Sequence, residues 1–107
     1  ERDNWFLHVH FWDPHTPYRA PESFGNPFAE VPLDSWIDET VLEEHKKAVG
    51  PHGINELGMY TDQIAPGYPR MPGSAQDMAG LRRVMDGYDT GILYADYLVG
   101  QLLDLLK

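Results

Sequence analysis

Trp5-Phe6-Leu7-His8-Val9-His10-Phe11-Trp12, closed by Asp13-Pro14, is the stretch on which the fold turns. Aromatic and β-branched residues fill it, and such side chains suit a pleated, half-buried surface. Proline lacks the ladder donor and restricts the residue before it, so the run stops there. The pattern predicts one strand over about 4–12. Both of its faces are largely apolar or aromatic, which predicts a buried strand rather than a half-exposed edge.

Downstream, Pro14, Pro17, Pro21, Pro27 and Pro32 recur with Gly25 and Asn26 among them, which predicts a long loop. Asp34-Ser35 offers an N-cap for a helix over about 34–49, ended by Gly50-Pro51. Its apolar set is Leu33, Trp36, Ile37, Val41 and Leu42, and Glu43 with Lys47 has i,i+4 spacing. From Gly50 to Gly73 the chain again reads as irregular. Ser74, with Asp77 three residues on, is a capping candidate for a long helix over about 75–106. Leu81, Val84, Met85, Tyr88, Ile92, Ala95, Val99, Leu102, Leu103 and Leu106 recur at helical spacing. Gly87, Gly91 and Gly100 would each cost about 1 kcal/mol in a helix interior, so each predicts close packing by another element. A single strand cannot pair with itself, so the expected class is α/β, as a βα unit belonging to a larger sheet.

Composition narrows the function. The 107 residues carry 17 Asp and Glu against 8 Lys and Arg, a formal charge of −9, with 42% hydrophobic residues. A folded chain is expected, and without a concentrated basic surface nucleic-acid binding is excluded. No apolar run approaches about 18 residues, which argues against a membrane role. No cysteine is present, so disulfides and thiolate metal sites are ruled out while the redox compartment stays open. The sequence opens on Glu1 rather than Met, so a processed or excised segment is expected.

Reactive side chains concentrate in His8-x-His10-x-x-Asp13-x-His15. On a strand, His8 and His10 would share one side. They read either as packed, hydrogen-bonded strand residues or as transition-metal ligands together with His15 and Asp13, the packed reading being favoured. His15, between Pro14 and Pro17, sits in a turn of little freedom, which suits a catalytic or anion-binding imidazole as well as an ordinary surface turn. Arg19 beside Tyr18 is a candidate contact for an anionic group. His45 and His52 flank a helix end and read as surface residues. Trp12 and Trp36 read as core, although with Tyr18 and Phe24 they could instead line a sugar site. Asp96, among apolar helix positions, reads as a buried structural acid.

The run Trp5 to Tyr18, ending in Pro14-His15-Thr16-Pro17, resembles the sulfatase strand that ends in a Pro-His-x-Pro turn. The segment from Tyr88 to Leu106, with Tyr94-x-Asp96-x-x-Val99-Gly100-x-Leu102-Leu103, resembles a helix of the same family. The two motifs bracket nearly the whole chain, while Pro21 to Met85 corresponds to a region of variable insertions. The resemblance implies a fragment of an alkaline-phosphatase-like α/β sandwich, with residues 1–107 as one segment of a larger sulfatase catalytic domain. It implies sulfate-ester hydrolysis of a small-molecule substrate such as an aryl sulfate or sulfated sugar, with a formylglycine nucleophile beside calcium. By that resemblance His15, and no other residue here, contacts the sulfate and protonates the leaving oxygen; Asp13, two residues before it, is a candidate to orient the ring or contact substrate.

Departures from the family pattern matter too. No Cys-x-Pro-x-Arg or Ser-x-Pro-x-Arg is present, nor the Asp-Asp pair associated with calcium, nor an Asp-His-Gly or Asp-Asn-Gly strand. The nucleophile and calcium ligands are therefore expected outside this chain, and the segment alone is expected to be inactive. Family habit leans toward a periplasmic or secreted setting without fixing localisation. The alternatives are a phosphodiesterase or phosphonate hydrolase of the same superfamily, and a non-catalytic metal- or carbohydrate-binding module. Exposed strand edges or an uncovered helix stripe would favour a homo-oligomer.

Overall fold

A computed structural model describes residues 4–15, 18, 20–50, 53–57, 67 and 73–107. Among the described residues the elements run in the order of a 3-10 turn at Glu22–Phe24, helix α1 at Glu39–Lys46 and helix α2 at Met78–Leu105. The Cα radius of gyration is 16.9 Å, against about 13 Å for a compact chain of this length. Helix α2 accounts for the excess: at 1.5 Å per residue its 28 residues span about 42 Å.

The α/β expectation is overturned: among the described residues there are helices only, with no strand and no sheet, so neither a buried strand nor an α/β sandwich is present. Residues 5–12 run without a ladder, and they are not buried, Phe6 being 90% exposed. The physical reason is that side-chain type marks a segment that fits a pleated surface but supplies no second strand to pair with. His8 and His10 are exposed with the rest, so the packed-strand reading of both is corrected as well.

Helix α1 begins later and ends earlier than its composition predicts. The Ile37 N–H donates to the Asp34 carbonyl at 2.9 Å, which closes a turn where the helix was expected to start. Asp38, in extended backbone, then caps α1 by accepting from the Val41 N–H at 3.0 Å. At the other end the Lys47 and Ala48 N–H groups bond three residues back, to Glu44 and His45. The Asn55 side chain donates to the Lys46 carbonyl at 2.7 Å and satisfies one of the carbonyls a helix end leaves open. The ion pair on this helix joins Lys46 to Glu43 at 2.6 Å rather than Lys47.

Helix α2 is capped by Asp77, not Ser74. The Gly80 N–H donates to the Asp77 carboxylate at 2.6 Å, and the Leu81 N–H to the Asp77 carbonyl at 2.9 Å. A carboxylate both accepts the orphan donor and complements the positive end of the helix, which a hydroxyl does not. Gly80 is tightly placed there: a Cβ would lie 3.2 Å from the Ala75 Cα and from the Asp77 carboxylate.

The two helices meet over a small core of Leu42, Ala75 and Leu81, with Ile37, Ile54, Met78, Val84 and Met85 packed against it. Two bonds tie the strap before α2 to this core: Ala75 N–H to the Ile54 carbonyl, and Lys46 Nζ to the Gln76 carbonyl. Trp36 and Trp12 are not in it; they are 64% and 57% exposed. Trp36 lines a small apolar cleft between the helices together with Val41, His45 and Met85.

Candidate active site

The residues Trp12-Asp13-Pro14-His15 form a tight turn, in which the His15 N–H donates to the Trp12 carbonyl at 3.0 Å. A second bond follows at once, from the Tyr18 N–H to the His15 carbonyl, also at 3.0 Å. Both backbone polar groups of His15 are thereby held. The Asp13–Pro14 peptide bond is cis. Asp13, Pro14 and His15 are half-buried.

Helix α2 fixes this turn in space at two points. Pro14 lies over Gly91, where an added Cβ would be 3.4 Å from the Pro14 Cβ. A methyl at 91 would sit in ordinary contact with Pro14, so the turn lies directly over this glycine without requiring it. At the second point the Tyr18 ring packs edge-on against Tyr88, with centroids 5.6 Å apart. Tyr18 holds a φ of 49°, in the left-handed region that ordinary side chains avoid. Burial, and then the neighbouring Tyr88, push its phenol above the ordinary value of 10.0.

An aromatic ring lies against the histidine. The Trp12 indole is stacked on the His15 imidazole at 4.6 Å between centroids, with 30° between planes. His10 lies on the other side of this pair in sequence, 6.3 Å from Trp12 and tilted by 51°.

A clamp further along the proline-rich loop binds it to the same helix. Asn26 donates to Asp86 at 2.9 Å, and Arg82 Nε donates to the other Asp86 oxygen at 2.7 Å. Arg82 Nη2 also donates to the carbonyls of Phe28 and Ala29. Phe24 packs edge-on against Tyr94 and tilted against Tyr97, with centroids 5.3 and 5.9 Å away.

The model of the sulfatase family matches residues 1–107. The chain belongs to the sulfatase family. No curated protein and no solved structure matches it. Of the positions singled out in this sulfatase-family chain, Asp13 and His15 share the turn, while Arg19, Thr16, Pro17 and His52 lie outside the described residues.

Two sequence readings change. Asp96 is exposed, in an open groove with Phe28, Asp89, Ile92 and Leu93; the buried acid of α2 is Asp86. Gly100, expected to mark close packing, has nothing within 4 Å of an added Cβ. The clamp itself was missed. Its only local trace is the i,i+4 spacing of Arg82 and Asp86, since Asn26 lies 60 residues away.

Among the described residues no three His, Asp or Glu side chains gather where they could hold a metal ion. The calcium that the resemblance implies finds no such set of ligands among the described residues.

Proposed function

We propose that this chain is part of the catalytic domain of a sulfuric ester hydrolase, with His15 acting on the departing group. The observation that carries the reading is the sulfatase family match along all 107 residues. The geometry supports it: His15 sits in a turn held by two backbone bonds and pressed onto α2. As the S–O bond breaks, negative charge builds on the leaving oxygen. A protonated imidazole there donates a hydrogen bond and then hands over its proton, so that an alcohol or phenol departs. Asp13, on the same turn, orients the ring or contacts the substrate, and Arg19 contributes charge to an anionic ester.

The substrates are small-molecule sulfate esters, either aryl sulfates or sulfated sugars. The nucleophile comes from outside these residues, which contain no cysteine and no Ser-x-Pro-x-Arg. The isolated chain is accordingly inactive.

The test is aryl sulfate hydrolysis by the full-length protein, wild type against His15→Ala. A fall in kcat of about a hundredfold or more, with folding intact, is the expected result. Unchanged turnover would remove the role given to His15. Cleavage of phosphate or phosphonate esters in place of sulfates would remove the sulfuric-ester assignment.

A further inference from the structure

Position 18 has the backbone of a glycine and the side chain of a tyrosine. Its φ of 49° lies in the left-handed region that residues with a Cβ avoid and that glycine adopts without cost. A bulky residue stays in such a conformation only where its surroundings hold it. Two holds are in place. The Tyr18 N–H donates to the His15 carbonyl at 3.0 Å, and the Tyr18 ring packs edge-on against Tyr88, with centroids 5.6 Å apart. We infer that Tyr88 is a positioning residue: by seating the Tyr18 ring on α2, it sets where the main chain of His15 stands. This rests on the role proposed for His15 above.

Tyr88 belongs to a firmly held part of the helix. It comes two residues after Asp86, where Asp86 holds Asn26 and Arg82 holds the Ala29 carbonyl. Three residues beyond it is Gly91, over which Pro14 lies. The chain just before His15 and the chain just after it therefore land on one face of α2, about 4.5 Å apart along its axis. Burial, ahead of the neighbouring Tyr88, pushes the Tyr18 phenol above 10.0, which agrees with a ring that is packed rather than solvated. The imidazole has its own stack with Trp12, so Tyr88 governs the main chain and not the plane of the ring. A proton donor must come within hydrogen-bonding distance of one oxygen, and a displacement of about 1 Å is enough to slow the transfer.

In the full-length protein, with an aryl sulfate as substrate, Tyr88→Ala is expected to lower kcat by about tenfold to a hundredfold. KM should stay within about twofold. Tyr88→Phe, which keeps the ring, should recover most of the lost turnover, whereas Tyr88→Leu, apolar but without a ring, should not. Tyr18→Gly relieves the backbone yet removes the ring that docks, so its kcat should fall as far as that of Tyr88→Ala. Because the two residues act through one contact, the double variant should be no slower than either single variant.

Additive losses in the double variant would overturn the proposal, because the two rings would then act independently. A rise in KM with kcat intact would make Tyr88 a substrate contact and overturn it too. So would wild-type kcat in folded Tyr88→Ala or Tyr18→Gly, since the ring contact would then serve stability alone. Should Tyr88→Ala fail to fold by circular dichroism, Tyr18→Gly and the Phe and Leu variants decide the matter, and equal turnover of Phe and Leu would count against the ring. His15→Ala is measured alongside. If that variant is as active as wild type, the functional reading itself has failed; if it is inactive while Tyr88→Ala is fully active, only the positioning role has failed.

Discussion

The two halves of α2 carry the same apolar repeat and end in opposite circumstances. From Met78 to Gly91 the helix holds all five of its buried residues: Gly80, Leu81, Asp86, Thr90 and Gly91. From Ile92 onward none is buried, and Ile92, Leu93, Tyr97, Val99, Leu103 and Leu105 are exposed. Polar contacts divide in the same way. In the first half Arg82 and Asp86 reach partners 53 to 60 residues distant. In the second, among the described residues, Gln101 pairs with Tyr97 and Lys107 with Asp104, within one turn. A helical repeat thus specifies that a face exists, and whether something covers that face depends on chain far away in sequence.

The difference is open to experiment, and the largest effect should come from the clamp. Asp86→Ala leaves the half-buried Arg82 guanidinium without its carboxylate and Asn26 without its acceptor, and should cost about 2–4 kcal/mol in urea unfolding. A loss no greater than that of an exposed helix substitution would break the contrast between the halves.

Glycine replacements sharpen it at a smaller scale. Gly100→Ala, with open space around the new methyl, should stabilise by about 1 kcal/mol through helix propensity alone. Gly80→Ala should lose that gain and destabilise, because its methyl would press on the Ala75 backbone and the Asp77 cap. Matching shifts in melting temperature for both variants would show that the two glycines stand in equivalent surroundings.

The smallest effect expected is a pH dependence from the Tyr18–Tyr88 contact. Because the phenol of Tyr18 is raised above 10.0, the fold holds its proton more tightly than the unfolded chain does. The stabilisation is complete below pH 10 and is lost as pH climbs through the higher, folded-state value. Tyr18→Phe should flatten that alkaline decline. Identical slopes for wild type and variant would show that Tyr18 titrates as it does unfolded.

Local signals were read well where they were self-sufficient. The repeat from Leu81 to Leu106 located α2 to within a turn at its start, and the error there came from choosing a hydroxyl over the carboxylate three residues on as the cap. For α1, the apolar set was right about Leu42, but Asp34 closes a turn before Asp38 can open the helix. Residues 5–12 failed for a different reason. Their composition describes half of a pairing interaction, and the other half is not written in the same stretch. In the site, the bend at Trp12–His15 was legible because Pro14 restricts the backbone locally. The clamp was not, because it joins Asn26 to Asp86 across 60 residues of sequence.

That separation also bears on how much the chain can change without disturbing the turn. Loop-closure entropy rises only with the logarithm of length, so doubling a loop adds about 0.6 kcal/mol. The turn at Pro14–His15 registers on Gly91 and Tyr88, and the strap behind it registers on Asp86 and Arg82. The chain between Val31 and Asp38 bears on neither docking point. Added or deleted residues there would alter the distance travelled along the chain but not the place reached, so the intervening segment can drift in length while the histidine keeps its address on the helix.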